Sequence, residues 1–341
     1  MEQVAAVVEG IRFGVPVTAR TPASSANLGP GFDSLGLALA LYDEVTVVAG
    51  APGSRPDVEV SVSGEGAGLV PLGADHLVVR SLLVGLAHAG VPRPALQLQC
   101  RNAIPHGRGL GSSAAAIAVG LVLAQGLLQD PSLLDDQAVY DLAATAEGHP
   151  DNASAALFGG FTISWFDEDA TGRTESGVRR AGAVRLAVDP RVRPVVCVPD
   201  VELATSRARA MLPATVPHGD AAFNAGRSAL LVQALTARPD LLLVATQDRL
   251  HQAQRAPAMP ASAALLAEMR RRGLAAVISG AGPSVLVLGD GGDPATVVAE
   301  ALADGALGAW RVHSLAVDTL GTHRLAPTVA TASGTASATE G

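Results

Sequence analysis

Between Pro105 and Ala115 the chain reads Pro-His-Gly-Arg-Gly-Leu-Gly-Ser-Ser-Ala-Ala. Glycine at 107, 109 and 111 lets a backbone turn sharply and come close to a ligand. Ser112 and Ser113 then open an Ala-rich run whose first helical N–H groups have no partner within the helix, and whose positive dipole end faces the loop. Such a junction suits an anion, phosphate above all, and needs no lysine. Taken alone, the same residues also make an ordinary Ser-capped turn from strand to helix. Two further segments bear on the choice. Ser279-Gly-Ala-Gly-Pro-Ser284 joins two apolar runs through residues so small that a second backbone can approach the glycine-rich loop. Pro22 to Asp33 reads as a loop of buried character with two polar hooks, Asn27 and Asp33.

The absence of lysine excludes several chemistries. All 24 basic residues are arginine. A Walker-type P-loop, a protein kinase and a Schiff-base enzyme each depend on a lysine, so none of the three is present in its usual form. With net charge −8 and 16% charged residues the chain has no basic stripe for nucleic acid. No apolar run reaches the roughly 20 residues of a membrane span; Ala114 to Leu128 comes nearest and is broken by Gly120, Gln125 and Gly126. No basic region followed by an apolar stretch opens the chain, and the expectation is a cytoplasmic protein. Cys100 and Cys197 sit in apolar strand-like runs without ligand-spaced partners, which predicts buried thiols and no structural zinc.

The 341 residues, 48% of them hydrophobic but only 3% aromatic, suffice for a large core of Ala, Val and Leu. Residues 1–16 are a weakly patterned lead-in. Alternation predicts strands at Val17–Arg20, Leu41–Val48, Val58–Val62, Ala95–Cys100 and Phe161–Phe166. Helices are predicted at Asp75–Ala89, Ser112–Leu128 (apolar all round, hence buried) and Asp135–Glu147. Asp167–Gly182 reads as a boundary. Beyond it the order is strand 194–198, helices near 220–236, 239–252 and 261–272, strands 275–279 and 284–288, helix 294–303 and strand 310–317. That succession suits a split-βαβ, ferredoxin-like layer. The fold class is therefore α+β in two domains, 1–170 and 180–325, with a disordered tail at 326–341.

The three segments at 22–39, 105–115 and 279–284, in this order, resemble the three motifs of the GHMP small-molecule kinases. The opening one, PASSANLGPGFDSLGLAL, is similar to the homoserine kinase branch and not to the Gly-Glu-His form of the sugar and mevalonate branches. The resemblance implies transfer of the γ-phosphoryl group of ATP to the side-chain hydroxyl of L-homoserine, a step of threonine biosynthesis. It implies Mg²⁺ as a second cofactor, and a homodimer is common in the family.

Carried over position by position, the nucleotide loop is Pro105, His106, Gly107, Arg108, Gly109, Leu110, Gly111, Ser112, Ser113, Ala114 and Ala115. Glu147, in Glu-Gly-His-Pro-Asp-Asn152, matches the metal-binding glutamate, with Ser112 as the second protein ligand. Arg209 and Arg255 are the forks for the substrate carboxylate. Asn27, Asp33, His149, Asp151 and Asn152 remain for its ammonium and hydroxyl. The His149–Asn152 stretch also reads as a helix-capping turn, and both readings can hold. Catalysis would rest on Glu147, Asn152 and Arg209 through positioning and charge stabilisation without a general base, Asp151 being the alternative base. One departure is His76, where the family usually has Asn at a nucleotide contact. Two other readings stay open: a kinase of this type acting on another small amino alcohol or hydroxy acid, and a catalytically silent ligand sensor of the same fold.

Overall fold

The computed structural model describes residues 10–167, 177–303 and 305–326. Its N-terminal layer is a seven-stranded sheet. The path runs β11-β1-β2-β4-β3, and β5 pairs with the first part of β2 and carries β6 at its outer edge. The strands are β1 (Val17–Ala26), β2 (Leu35–Gly50), β3 (Val58–Gly64), β4 (Ala95–Asn102), β5 (Phe161–Phe166), β6 (Ala181–Leu186) and β11 (His323–Arg324). Only β3 and β4 are parallel, and α1 (Leu77–His88) forms the crossover between them. Helices α2 (Ser112–Leu127), α3 (Asp136–Glu147) and α4 (Pro150–Phe158) complete this layer. Its core takes Val45, Val47, Leu96 and Leu98 from the sheet, and Leu82, Leu86, Leu121 and Leu123 from α1 and α2. As its uniformly apolar sequence predicted, α2 is buried on nearly every face.

The second layer contains β7 (Val192–Pro199), β8 (Ala275–Ile278), β9 (Val285–Asp290) and β10 (Trp310–Ser314) in the order β10-β7-β9-β8, all antiparallel. Counted within the layer, that is fourth-first-third-second, the ferredoxin-like order. Helices α5 (Thr205–Ala210), α6 (His218–Thr236), α7 (Leu242–Ala245), α8 (Gln252–Arg255), α9 (Pro260–Arg271) and α10 (Pro294–Leu302) lie between these strands in sequence. The period of two along β7 decides the packing. Val195 and Cys197 face Met259, Leu265 and Met269, while Val196 and Val198 face Leu28, Leu37, Leu39 and Phe161 of the other layer. The junction between the layers is thus itself core. Both cysteines are buried, and burial pushes each thiol up to about 12.

Three expectations need correction. The loop predicted from Pro22 continues as strand β1 through Ala26. Ala23, Ser24, Ser25 and Ala26 are buried on both faces, so no alternation marks them in the sequence. The register shifts between Pro22 and Ala23, where proline offers no N–H. Second, no single helix fills 239–252. Helix α7 ends at Ala245, and the Asp248 carboxylate then accepts the N–H groups of Leu250, His251 and Gln252 and the side-chain amide of Asn224, which holds a non-helical turn before α8. Third, strand pairing carries the first layer to Leu186 and returns β11 to it beside β1. We place the division of layers near residue 187, with 323–324 belonging to the first. The tail from 327 lies outside the described residues.

No helix among the described residues is long and apolar enough to cross a membrane.

Candidate active site

The glycine-rich loop is tied down from behind. Asp43, on β2, accepts the N–H groups of Ala103 (2.7 Å) and Ile104 (2.9 Å) just before Pro105. Burial raises its carboxyl to about 6 despite those two bonds. Gly107, Gly109 and Gly111 all have positive φ, near 63°, 74° and 69°. A Cβ at Gly109 would collide with the backbone carbonyl oxygen of Ser279, and one at Gly111 with the Ser24 hydroxyl. The 279–284 turn does back onto the loop: Ser279 Oγ donates to Gly109 O at 2.6 Å, and the Ser284 N–H reaches Arg108 O. Gly111 caps α2 in the left-handed conformation and offers no side-chain acceptor. The first intrahelical bond runs from Ala115 N to Gly111 O. The N–H groups of Ser112, Ser113 and Ala114 are left for an anion.

These groups open into a cleft of about 130 Å³. It is lined by Gly107, Gly109, Gly111, Ser112, Ser113, Asn27, Asp33, Glu147, His149, Asp151, Asn152, Arg209, Arg255, Leu203, Thr205, Gly280 and Ala281. The structure thereby gathers Glu147, Asn152, Arg209 and every residue singled out for substrate. Of the eleven loop residues, Pro105, Leu110, Ala114 and Ala115 bury their side chains and contribute backbone only. His106 packs against the turn at Gly66. Arg108 points away, bonding to the carbonyls of His106, Pro199 and Asp200 and to Glu202, so it staples the loop to the second layer.

Glu147 ends α3 with its side chain buried, and its Oε1 has no hydrogen-bond partner. Burial raises its carboxyl, and the Ser113 hydroxyl and His149 oppose that shift. An ionisable oxygen left bare beside the Ser113 hydroxyl, in a cleft that Ser112 also lines, fits a hard divalent cation such as Mg²⁺, which takes oxygen ligands from one or two protein groups and from phosphates. Asp151 Oδ1 accepts the Asn152 N–H (2.7 Å) and lies 3.0 Å from His149 Nδ1. The stretch opens α4 and lines the cleft, but His149 at the N-cap position makes no side-chain cap bond. Burial would lower the His149 pKa, but Asp151 and Glu147 outweigh it and raise it. Asn152 Oδ1 accepts from Ser24 Oγ at 2.9 Å, which leaves its amide N–H groups for the cleft.

The charged hooks are arranged less simply than their sequence contexts implied. Asp33 and Arg209 form a two-pronged pair, at 2.6 and 3.0 Å, so each meets the other before any ligand. That pairing raises the Arg209 pKa. Asn27 spends both ends of its amide, donating to Gly280 O and accepting from Asp33 N, and so works as a strut between two segments. Arg255 is 1% exposed and has no carboxylate in ion-pair contact among the described residues. Its bonds go to Ala208 O, Gly280 O and His251 Nδ1. A buried guanidinium on a cleft, with Asp33, Asp248 and Asp151 nearby but none of them in direct contact, points to an anionic ligand.

Sequence reading missed Asp43, Ser24, Thr205 and His251. Asp43 left one signal, a carboxylate interrupting the apolar alternation of Leu41–Val48. The others gave none. His76 caps α1 with its Nδ1 buried and unpartnered, and burial, with His106 nearby, lowers its pKa.

Comparison with known proteins agrees with both layers. Residues 76–160 match the family of GHMP kinases N terminal domains and residues 226–306 match GHMP kinases C terminal. The glycine-rich cradle at the start of α2 lies within the first matched stretch, and most of the ferredoxin-like layer's helices and two of its strands lie within the second. The homoserine kinase of Rhodococcus opacus strain B4 is 51% identical over 86% of this chain and 93% of that protein. That of Streptomyces coelicolor is 49% identical over 89% and 93%. A crystal structure of homoserine kinase from Cytophaga hutchinsonii superposes with a TM-score of 0.74 at 25% identity, covering 91% of this chain and 97% of that one. The chain belongs to the homoserine kinase family.

Proposed function

We propose that this enzyme phosphorylates the side-chain hydroxyl of L-homoserine with ATP, giving O-phospho-L-homoserine for threonine biosynthesis. The observation that carries the substrate is Arg255: buried, facing the cleft, and lacking a carboxylate of its own. The substrate carboxylate supplies the missing charge, and Arg209 provides a second fork. The α-ammonium falls to Asp33. ATP phosphates lie on the N–H groups opening α2, and His76 takes a contact on the nucleotide side. Glu147 and the hydroxyl of Ser112 hold Mg²⁺, which when bound screens the charge of the transferred phosphoryl group.

Asn152 places the acceptor hydroxyl. Its amide cannot accept a proton, and a loose phosphoryl-transfer transition state requires little activation of the nucleophile. Asp151 is already committed to Asn152 and His149. Positioning and charge stabilisation therefore carry the rate. An Asp151→Asn enzyme keeps a kcat within a few-fold of wild type; a loss of ~10³ would instead make Asp151 the base.

The test of the substrate is ADP release from ATP and Mg²⁺ with homoserine, serine, threonine, mevalonate or galactose as acceptor. Turnover with homoserine alone is expected. ATP bound with no acceptor turned over would favour the sensor reading. A cytoplasmic location and a homodimer are part of the same proposal, the second checked by sedimentation.

A further inference from the structure

His251 stands one helical turn before Arg255, is 1% exposed, and bonds to both Gly29 and Arg255. Its Nε2 lies 2.7 Å from the carbonyl oxygen of Gly29, and its Nδ1 lies 3.1 Å from Arg255 NH1. A carbonyl can only accept and a guanidinium can only donate. Both bonds exist together in one form of the ring, the neutral tautomer with its proton on Nε2. Gly29 is held in place for this: at φ near 88° its missing Cβ would sit 2.6 Å from Thr246 O, so the 27–33 loop is fitted against the residues leading into α8. The Phe32 ring packs on the imidazole with centroids 5.3 Å apart.

We propose that His251 is a positioning residue, a neutral hydrogen-bond relay that aims Arg255 at the substrate carboxylate and locks it to the loop bearing Asn27 and Asp33. This rests on the reading of Arg255 as the carboxylate fork. Protonating the ring would put a donor on Nδ1 against the Arg255 N–H, two cationic donors 3.1 Å apart. The groups facing the ring are Arg255 on its own element, Asp248 at 3.8 Å from the preceding turn, and Asp33 from the 27–33 loop. Burial and Arg255 favour the neutral ring and outweigh the two carboxylates, so the pKa falls below its ordinary value. Homoserine binding is then intact through the usual histidine range and weakens only at pH below it, where the buried ring is finally protonated.

Two variants separate the bonds. His251→Asn retains an acceptor near Arg255, and His251→Gln retains a donor near Gly29. His251→Gln, which loses the charge-assisted bond to Arg255, is expected to raise KM for homoserine by about ten- to a hundredfold, and His251→Asn, which loses the neutral bond to Gly29, by about two- to tenfold, each with KM for ATP within about twofold. The wild-type acid limb in KM for homoserine should vanish in both. Unchanged KM for homoserine, or equal damage to both KM values, overturns the relay. Should the variants not fold, ¹⁵N spectra of the wild-type ring decide alone: a neutral Nε2–H tautomer at pH 7 upholds the relay, and an Nδ1–H or charged ring at that pH overturns it. Absence of wild-type turnover with homoserine would fail the substrate reading instead, a distinct result.

Discussion

At Glu147 a bare carboxylate oxygen is buried beside the Ser113 hydroxyl, a state that costs stability in the absence of a cation. Glu147→Gln should therefore raise the melting temperature in metal-free buffer while cutting kcat by ~10² or more. Added Mg²⁺ should raise the melting temperature of the wild type and leave the variant unmoved. Asp43 makes the complementary case for pH. Its folded pKa of about 6 exceeds the ordinary 3.8, so between those values the native state binds more protons than the unfolded chain. Stability from this group is then present at the acid end and lost as pH rises from about 4 to 6. The stability of Asp43→Asn relative to wild type should climb over that window by on the order of 2 kcal/mol, measured by urea titration at each pH. A flat difference would mean the carboxylate is not raised.

The element whose geometry matters most is the loop from Pro105 to Gly111, because it is squeezed between Ser24 on β1, α2 and the 279–284 turn. Its glycines are not equivalent. A Cβ at Gly109 would strike the Ser279 carbonyl, whereas at Gly107 the nearest atom is Glu202 Cβ, at an ordinary 3.5 Å. Gly107→Ala should lose about 1 kcal/mol, from positive φ alone. Gly109→Ala should lose about 3 kcal/mol or more and raise KM for ATP at least tenfold, because the loop must lift off the turn to admit the methyl. Equal effects of the two substitutions on KM for ATP would show that the turn does not shape the cradle. The sequence displayed both segments as small-residue runs, and their mutual approach followed from that lack of bulk. Their spacing did not follow, since residues 109 and 279 meet only through the packing of two sheets.

The whole molecule has two layers but a shared junction. Leu37, Leu39 and Phe161 of the first sheet are buried with Val196, Leu286 and Leu288 of the second, each such side chain being worth about 2 kcal/mol of burial. Polar ties add to it: Ser279 to Ser25, Asn27 to Gly280, Arg108 to Pro199 and Asp200, and Arg311 to Glu65. One tryptophan lies in each layer, Trp165 on β5 and Trp310 on β10. Unfolding followed by fluorescence in Trp165→Phe and Trp310→Phe should give coincident midpoints, as one cooperative unit requires. Separated midpoints would mean that each layer folds on its own and that the cleft can open without global unfolding.

Local chemistry was legible from the chain alone. Glycine at 107, 109 and 111 before an Ala-rich helix, the missing lysines, the alternation of most strands and the β-helix succession of the second layer are short-range properties, set by backbone sterics and by periods of two and 3.6. The motif residues at 22–39, 105–115 and 279–284 likewise sufficed to point to the kinase class. Only the tertiary structure decided that Asp33 and Arg209 pair, that Arg108 serves as a staple, that Asn27 is a strut, and that Asp248 holds a non-helical turn within the helix predicted over 239–252. It also decided that a buried histidine at 251 must stay neutral between Gly29 and Arg255. Each of these depends on which donor meets which acceptor across tens to hundreds of residues, and no periodicity encodes such a meeting. A side chain's type shows what it is able to bond, while burial and the groups packed around it determine what it does bond.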